Sequence, residues 1–130
     1  EVFSFFSNPE NLKLLTPSKF NFKILCFENS PLQEGSLITH QIKIRGIPLK
    51  WTSLITKWDP PYLFEDVQKK GPYKQWIHQH IFHDLDGKTI VEDSIKYKVL
   101  GGEIIHNLFV KKDLISVFNY RTKILNEYFS

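Results

Sequence analysis

A chain of 130 residues with 42% apolar, 15% aromatic and 24% charged side chains has the make-up of one folded domain with one hydrophobic core, which excludes a disordered or low-complexity segment. Its net charge of +3 is mildly basic, but lysines alternate with acids and only Lys69-Lys70 and Lys111-Lys112 are adjacent. The concentrated basic face of a nucleic-acid binder is therefore not expected, and no run of about 18 apolar residues is present to span a membrane.

The chain opens at Glu1, without methionine and without a basic-then-apolar leader, so an upstream segment is expected to have been removed or left out. Val2-Phe3-Ser4-Phe5-Phe6 reads as a short helix. Asn8 is a good N-cap and Pro9 suits a first helical position, which predicts a second short helix from Pro9 to Leu15, ended by Thr16-Pro17.

From Lys19 the apolar pattern has period two for about eighty residues. Six strands are predicted: Phe20 to Phe27, Ser36 to Arg45, Leu49 to Trp58, Leu63 to Lys70, Tyr73 to Asp84 and Thr89 to Leu100. All connections after the first are short, so neighbours should form antiparallel hairpins, most firmly at Asp86-Gly87, where both residues tolerate positive φ. The single Cys26, inside the first strand, cannot form an internal disulfide; it reads as a buried small hydrophobe in a reducing, cytoplasmic compartment. Gly101-Gly102 ends the sheet. A helix is predicted from Glu103 to Phe129, with an apolar stripe of Ile104, Leu108, Ile115, Phe118, Leu125 and Phe129 widened by Ile105 and Phe109.

Hairpin counting turns these strands into a surface. A two-residue loop at Asp86-Gly87 sets Phe82 against Val91, His80 against Asp93 and His78 against Ile95; the Gly71-Pro72 turn sets His78 near Asp66 and His80 near Phe64. A turn at Gly46-Ile47 sets Ile44 against Leu49, Ile42 against Trp51, His40 against Ser53 and Ile38 against Ile55. One face thus collects these residues with Trp76, Tyr97 and Ile95 and should meet the C-terminal helix, while Leu54, Ile77, Ile81 and Ile90 stay on the other. His40, Asp66, His78, His80 and Asp93 interrupt the apolar face. Buried polar groups need partners, so the pairs His78–Asp66 and His80–Asp93 are expected, around a partly wet cavity rather than a dry core.

The segments Val2 to Leu12, Gly46 to Trp51, Trp58 to Asp66, Gly71-Pro72-Tyr73, Trp76 to Phe82, Phe109 to Leu114 and Phe118 to Arg121 together resemble the helix-grip superfamily of START-like proteins, polyketide cyclases and birch-pollen-allergen-like carriers, in a small bacterial branch. The resemblance implies an α+β fold with two short helices, a curved antiparallel sheet and a long C-terminal helix gripping an internal cavity, as one ligand-binding domain over residues 1–130. It also implies a first strand upstream of Glu1, whose absence would leave a sheet edge open to pairing, as in a homodimer.

Ligand-binding candidates are His40, Trp51, Phe64, Asp66, Trp76, His78, His80, Phe82, Asp93, Tyr97, Phe109 and Phe118. His78 and His80 could anchor a polar ligand group or water, act with Asp66 and Asp93 as a general acid–base pair, or form a satisfied structural network; a metal site and a cofactor are not expected. Asp113, Tyr120 and Arg121 could close the mouth, although solvated helix charges are the more usual reading. The expected function is binding or transport of a lipid, isoprenoid or polyketide-like molecule. The alternatives are a cyclase or dehydratase and an interaction module whose cavity has collapsed well below about 300 Å³.

Overall fold

A computed structural model describes residues 2–27, 32–44, 46–99 and 110–129. Helix α1 (Val2–Ser7) and a 3-10 turn (Pro9–Leu12) lead through a second 3-10 turn (Ser18–Phe20) into six strands: β1 (Lys23–Phe27), β2 (Leu37–Ile44), β3 (Ile47–Asp59), β4 (Leu63–Lys70), β5 (Tyr73–Leu85) and β6 (Lys88–Val99). Helix α2 (Lys111–Tyr128) follows. The predicted helix start and its residues Ile104, Ile105, Leu108 and Phe109 lie outside the described residues.

Each strand pairs antiparallel with its neighbour in chain order, β1 to β6, as short hairpin connections require. The β5–β6 register is the expected one, with Leu85 opposite Lys88 and Asp86 and Gly87 at φ 51° and 76°. The β2–β3 hairpin departs from expectation: Ile44 pairs with Ile47, Ile42 with Leu49, His40 with Trp51 and Ile38 with Ser53. Gly46, at φ 82°, therefore sits before β3 begins. A slip of two residues keeps every side chain on its predicted face, which is why the face assignment survives the register error.

Two local readings are corrected. The second short helix is a 3-10 turn ending at Leu12, although Asn8 does cap it by accepting a hydrogen bond from the Glu10 N–H at 3.1 Å. Cys26 is exposed: β1 is an edge strand with an irregularity between Ile24 and Cys26, and the exposed Leu25 and Cys26 do not follow strict alternation.

The core is divided along its length. Phe3, Phe5 and Phe6 of α1 pack with Leu15, Ile55, Phe64 and Phe82, and Ile124, Leu125 and Phe129 close over them, filling the end of the grip reached by the C-terminal half of α2. Toward the N-terminal half of α2 the sheet and helix stand apart and enclose a cavity of about 490 Å³.

Candidate functional site

Four elements bring the cavity's polar floor together. Alternation along β5 turns Trp76, His78, His80 and Phe82 inward, and all four are buried. The neighbouring strands supply Asp66 from β4 and Asp93 from β6, and α2 supplies Arg121. His78 Nε2 bonds Asp93 Oδ1 at 2.7 Å and His80 Nε2 bonds Asp66 Oδ2 at 2.6 Å. These short bonds exchange the expected partners, and the expected pairs remain as longer contacts, His78 Nδ1 to Asp66 Oδ2 at 4.0 Å and His80 Nδ1 to Asp93 Oδ1 at 3.6 Å. The backbone register does place His78 opposite Asp66 and His80 opposite Asp93, but each imidazole reaches diagonally, because the two rings stack at 3.7 Å and lean along the strand.

Arg121 ties the pairs to the helix. Its Nη2 donates to His80 Nδ1 at 3.1 Å and lies 3.3 Å from Asp93 Oδ1, while its guanidinium carbon stands 5.0 Å from the Phe6 ring centre. A guanidinium only donates, so His80 Nδ1 must accept and His80 Nε2 carries the proton toward Asp66. Burial, together with the charges of His78 and Arg121, drives the His80 pKa well down and keeps that ring neutral. The two carboxyls move apart. Burial raises Asp66 despite the pull of His78 and Arg121; Asp93 is also pushed upward by burial, but the His78 hydrogen bond and Arg121 outweigh it and hold it at about 2.

Arg121, only 7% exposed, is the residue that a solvated-charge reading misses. The signal was in its phase: Leu114, Phe118, Arg121 and Leu125 share one helical face. Leu114, Val117, Phe118 and Arg121 line the cavity, whereas Ile115, assigned to the stripe, is 53% exposed. Asp113 also lines the cavity.

The walls are largely apolar. His40, Trp51, Phe64, Asp66, Trp76, His78, His80 and Phe118 all line the cavity. Phe82, Asp93 and Tyr97 are not among its lining residues: Phe82 belongs to the aromatic core with Phe3 and Phe6, Asp93 bonds His78 from the adjacent strand, and Tyr97 packs beside Trp76 and Tyr73. Phe109 lies outside the described residues. His40 is stacked between Phe22 at 4.8 Å and Trp51 at 5.6 Å, and burial lowers its pKa to about 4 against the opposing pull of Asp66. Among the described residues His40 Nδ1 and Trp51 Nε1 are buried without a hydrogen-bond partner.

Asp66, His78 and His80 place potential metal-binding atoms within 4.8 Å of one another. His80 Nε2 and Asp66 Oδ2 already bond each other, His78 Nε2 bonds Asp93, and Arg121 brings a positive charge to the cluster. The donor set is therefore a poor fit for a second cation.

A curved antiparallel sheet closed on a C-terminal helix, with a cavity between them, is the helix-grip fold of the START-like and birch-pollen-allergen-like proteins. The chain is similar to major latex-like protein 151 of Panax ginseng, with a TM-score of 0.70 at 16% identity over 98% of this chain and 86% of that one. It is similar also to TTHA0849 of Thermus thermophilus, with a TM-score of 0.66 at 14% identity over 97% and 82% of the two chains. Ms6760 of Mycobacterium smegmatis gives 0.66 at 15% identity over 98% and 81%. No family model matches the sequence, and no curated protein does. Among the described residues no helix is long and apolar enough to cross a membrane.

Proposed function

We propose that the protein binds one small, largely apolar molecule, of lipid, isoprenoid or polyketide-like chemistry, between the sheet and α2. The observation that supports this reading is a cavity of about 490 Å³ with largely apolar walls and a buried cluster of Asp66, His78, His80 and Arg121 among its lining residues. That volume lies within the range usual for ligand pockets, about 300 to 1,000 Å³, and speaks against a collapsed interaction module. The apolar body of the ligand would lie against Trp51, Trp76 and Phe118, and a hydroxyl or carbonyl group would face His78, whose Nε2 is held by Asp93 while both nitrogens of His80 are taken by Asp66 and Arg121. Native mass spectrometry of the purified protein, followed by solvent extraction, tests it. A co-purifying apolar molecule is expected at one per chain; failure to retain any added fatty acid, isoprenoid alcohol or aromatic polyketide would overturn the reading.

A second reading, a cyclase or dehydratase, draws on the opposite pKa directions of Asp66 and Asp93 beside two imidazoles, an arrangement able to hold and deliver a proton. His80→Gln separates the two: an enzyme loses turnover, whereas a carrier changes only affinity.

A further inference from the structure

The charges that alternate in sequence are sorted by the fold. The β2–β3 hairpin, the β4–β5 turn, the end of β6 and the start of α2 share one end of the molecule, where Ile47, Pro72, Val99 and Val110 line the cavity. Lys43, Lys50, Lys70, Lys111 and Lys112 are all exposed there, and Lys19 borders a small cleft with Lys43, Gly46 and Asp113. Across residues 16–23, 41–44, 46–50, 67–75, 94–99 and 110–116, which form this end among the described residues, Asp113 is the only acid. Asp59, Asp84 and Asp86 stand at the opposite turns.

Within the lysines lies an apolar tip. Ile47 is 61% exposed yet also lines the cavity, so it marks the rim, and Ile44 and Leu49 continue it inward. An exposed isoleucine with Lys43 and Lys50 on its own hairpin, at an end that also carries Lys70, Lys111 and Lys112, matches a surface that is anionic outside and hydrocarbon beneath. A nucleic acid would use the lysines but leave Ile47 in water.

We propose that this end docks on an anionic lipid bilayer, Ile47 entering the headgroup layer and the lysines meeting lipid phosphates. Docking of this kind brings the end of the cavity lined by Ile47 to the membrane surface, and it holds whatever the cavity carries.

Sedimentation of the full chain with phosphatidylcholine vesicles, with and without phosphatidylglycerol, tests it. Binding is expected only to the anionic vesicles and should weaken with salt. Lys43→Gln and Lys111→Gln should each lower the partition coefficient by about fivefold, and Ile47→Asp by at least as much. Lys88→Gln, at the far hairpin, should leave it unchanged. All four positions are exposed, and near-ultraviolet circular dichroism confirms that each variant is folded. Should Ile47→Asp be misfolded, the lysine comparison decides alone. Equal binding to both vesicle types, equal loss from Lys88→Gln, or tighter binding to a short DNA duplex than to the vesicles would overturn the proposal.

Discussion

Arg121 holds a full positive charge between aromatic rings, and its neighbours fix how much depends on it. It contacts His80 and Asp93, and burial lowers its pKa while Asp93 and Asp66 oppose that shift. Removing it leaves two carboxyls and a buried imidazole facing a void. Arg121→Ala is therefore expected to cost about 3 to 5 kcal/mol in urea unfolding, against less for Arg121→Met, which keeps the packing against Phe6 and Phe118. His40 makes stability depend on pH. The unfolded chain takes a proton there near 6.5 and the folded one near 4, so its contribution is complete above 6.5 and is lost as pH falls toward 4. His80 acts in the same direction and Asp66 in the opposite one. Urea midpoints measured across that window should fall with acid, and His40→Leu should reduce the total loss by on the order of 3 kcal/mol. Trp51→Phe should cost only about 1 to 2 kcal/mol in urea unfolding, because the lost contacts to His40 and Trp76 are partly offset by removing an indole N–H that makes no hydrogen bond to a described residue.

At the β4–β5 turn a side chain completes the ladder. Gln68 Oε1 accepts from the Tyr73 N–H at 3.0 Å and its Nε2 donates to the Tyr73 carbonyl at 2.7 Å; a Cβ on Gly71 would meet that side chain at 2.6 Å. Gly71→Ala and Gln68→Ala should each destabilise by about 1 to 2 kcal/mol, and the double variant by less than their sum, in thermal or urea unfolding. The sequence made strand identity legible through its period of two, and inward faces with it, since errors of two residues preserve both. What it did not convey was the direction of side-chain lean. The shortest histidine–carboxylate bonds exchange partners for that reason, and Arg121 is buried because its place on the helical stripe outweighs its residue type.

For the molecule as a whole, the helix-grip architecture was readable from hairpin spacing and the terminal helix, whereas the division of the core into a packed end and a hollow end was not. That division depends on α1: Phe3 and Phe6 bring their rings to within 5.0 and 5.3 Å of Phe82, which fills one end. Phe6→Ala is expected to destabilise by about 3 to 5 kcal/mol, measured by urea unfolding, and to enlarge the cavity beneath Arg121.

Trp51 and Trp76 meet edge to face at 5.1 Å and 90° on the cavity wall, while Trp58 sits against Phe3 and Phe64 in the packed end. Two indoles that close exchange excitation, so their combined near-ultraviolet spectrum depends on their mutual orientation. The pocket thus carries its own optical gauge: any guest wedged beside that pair would rewrite the signal, with the third indole serving as an internal reference and no attached dye.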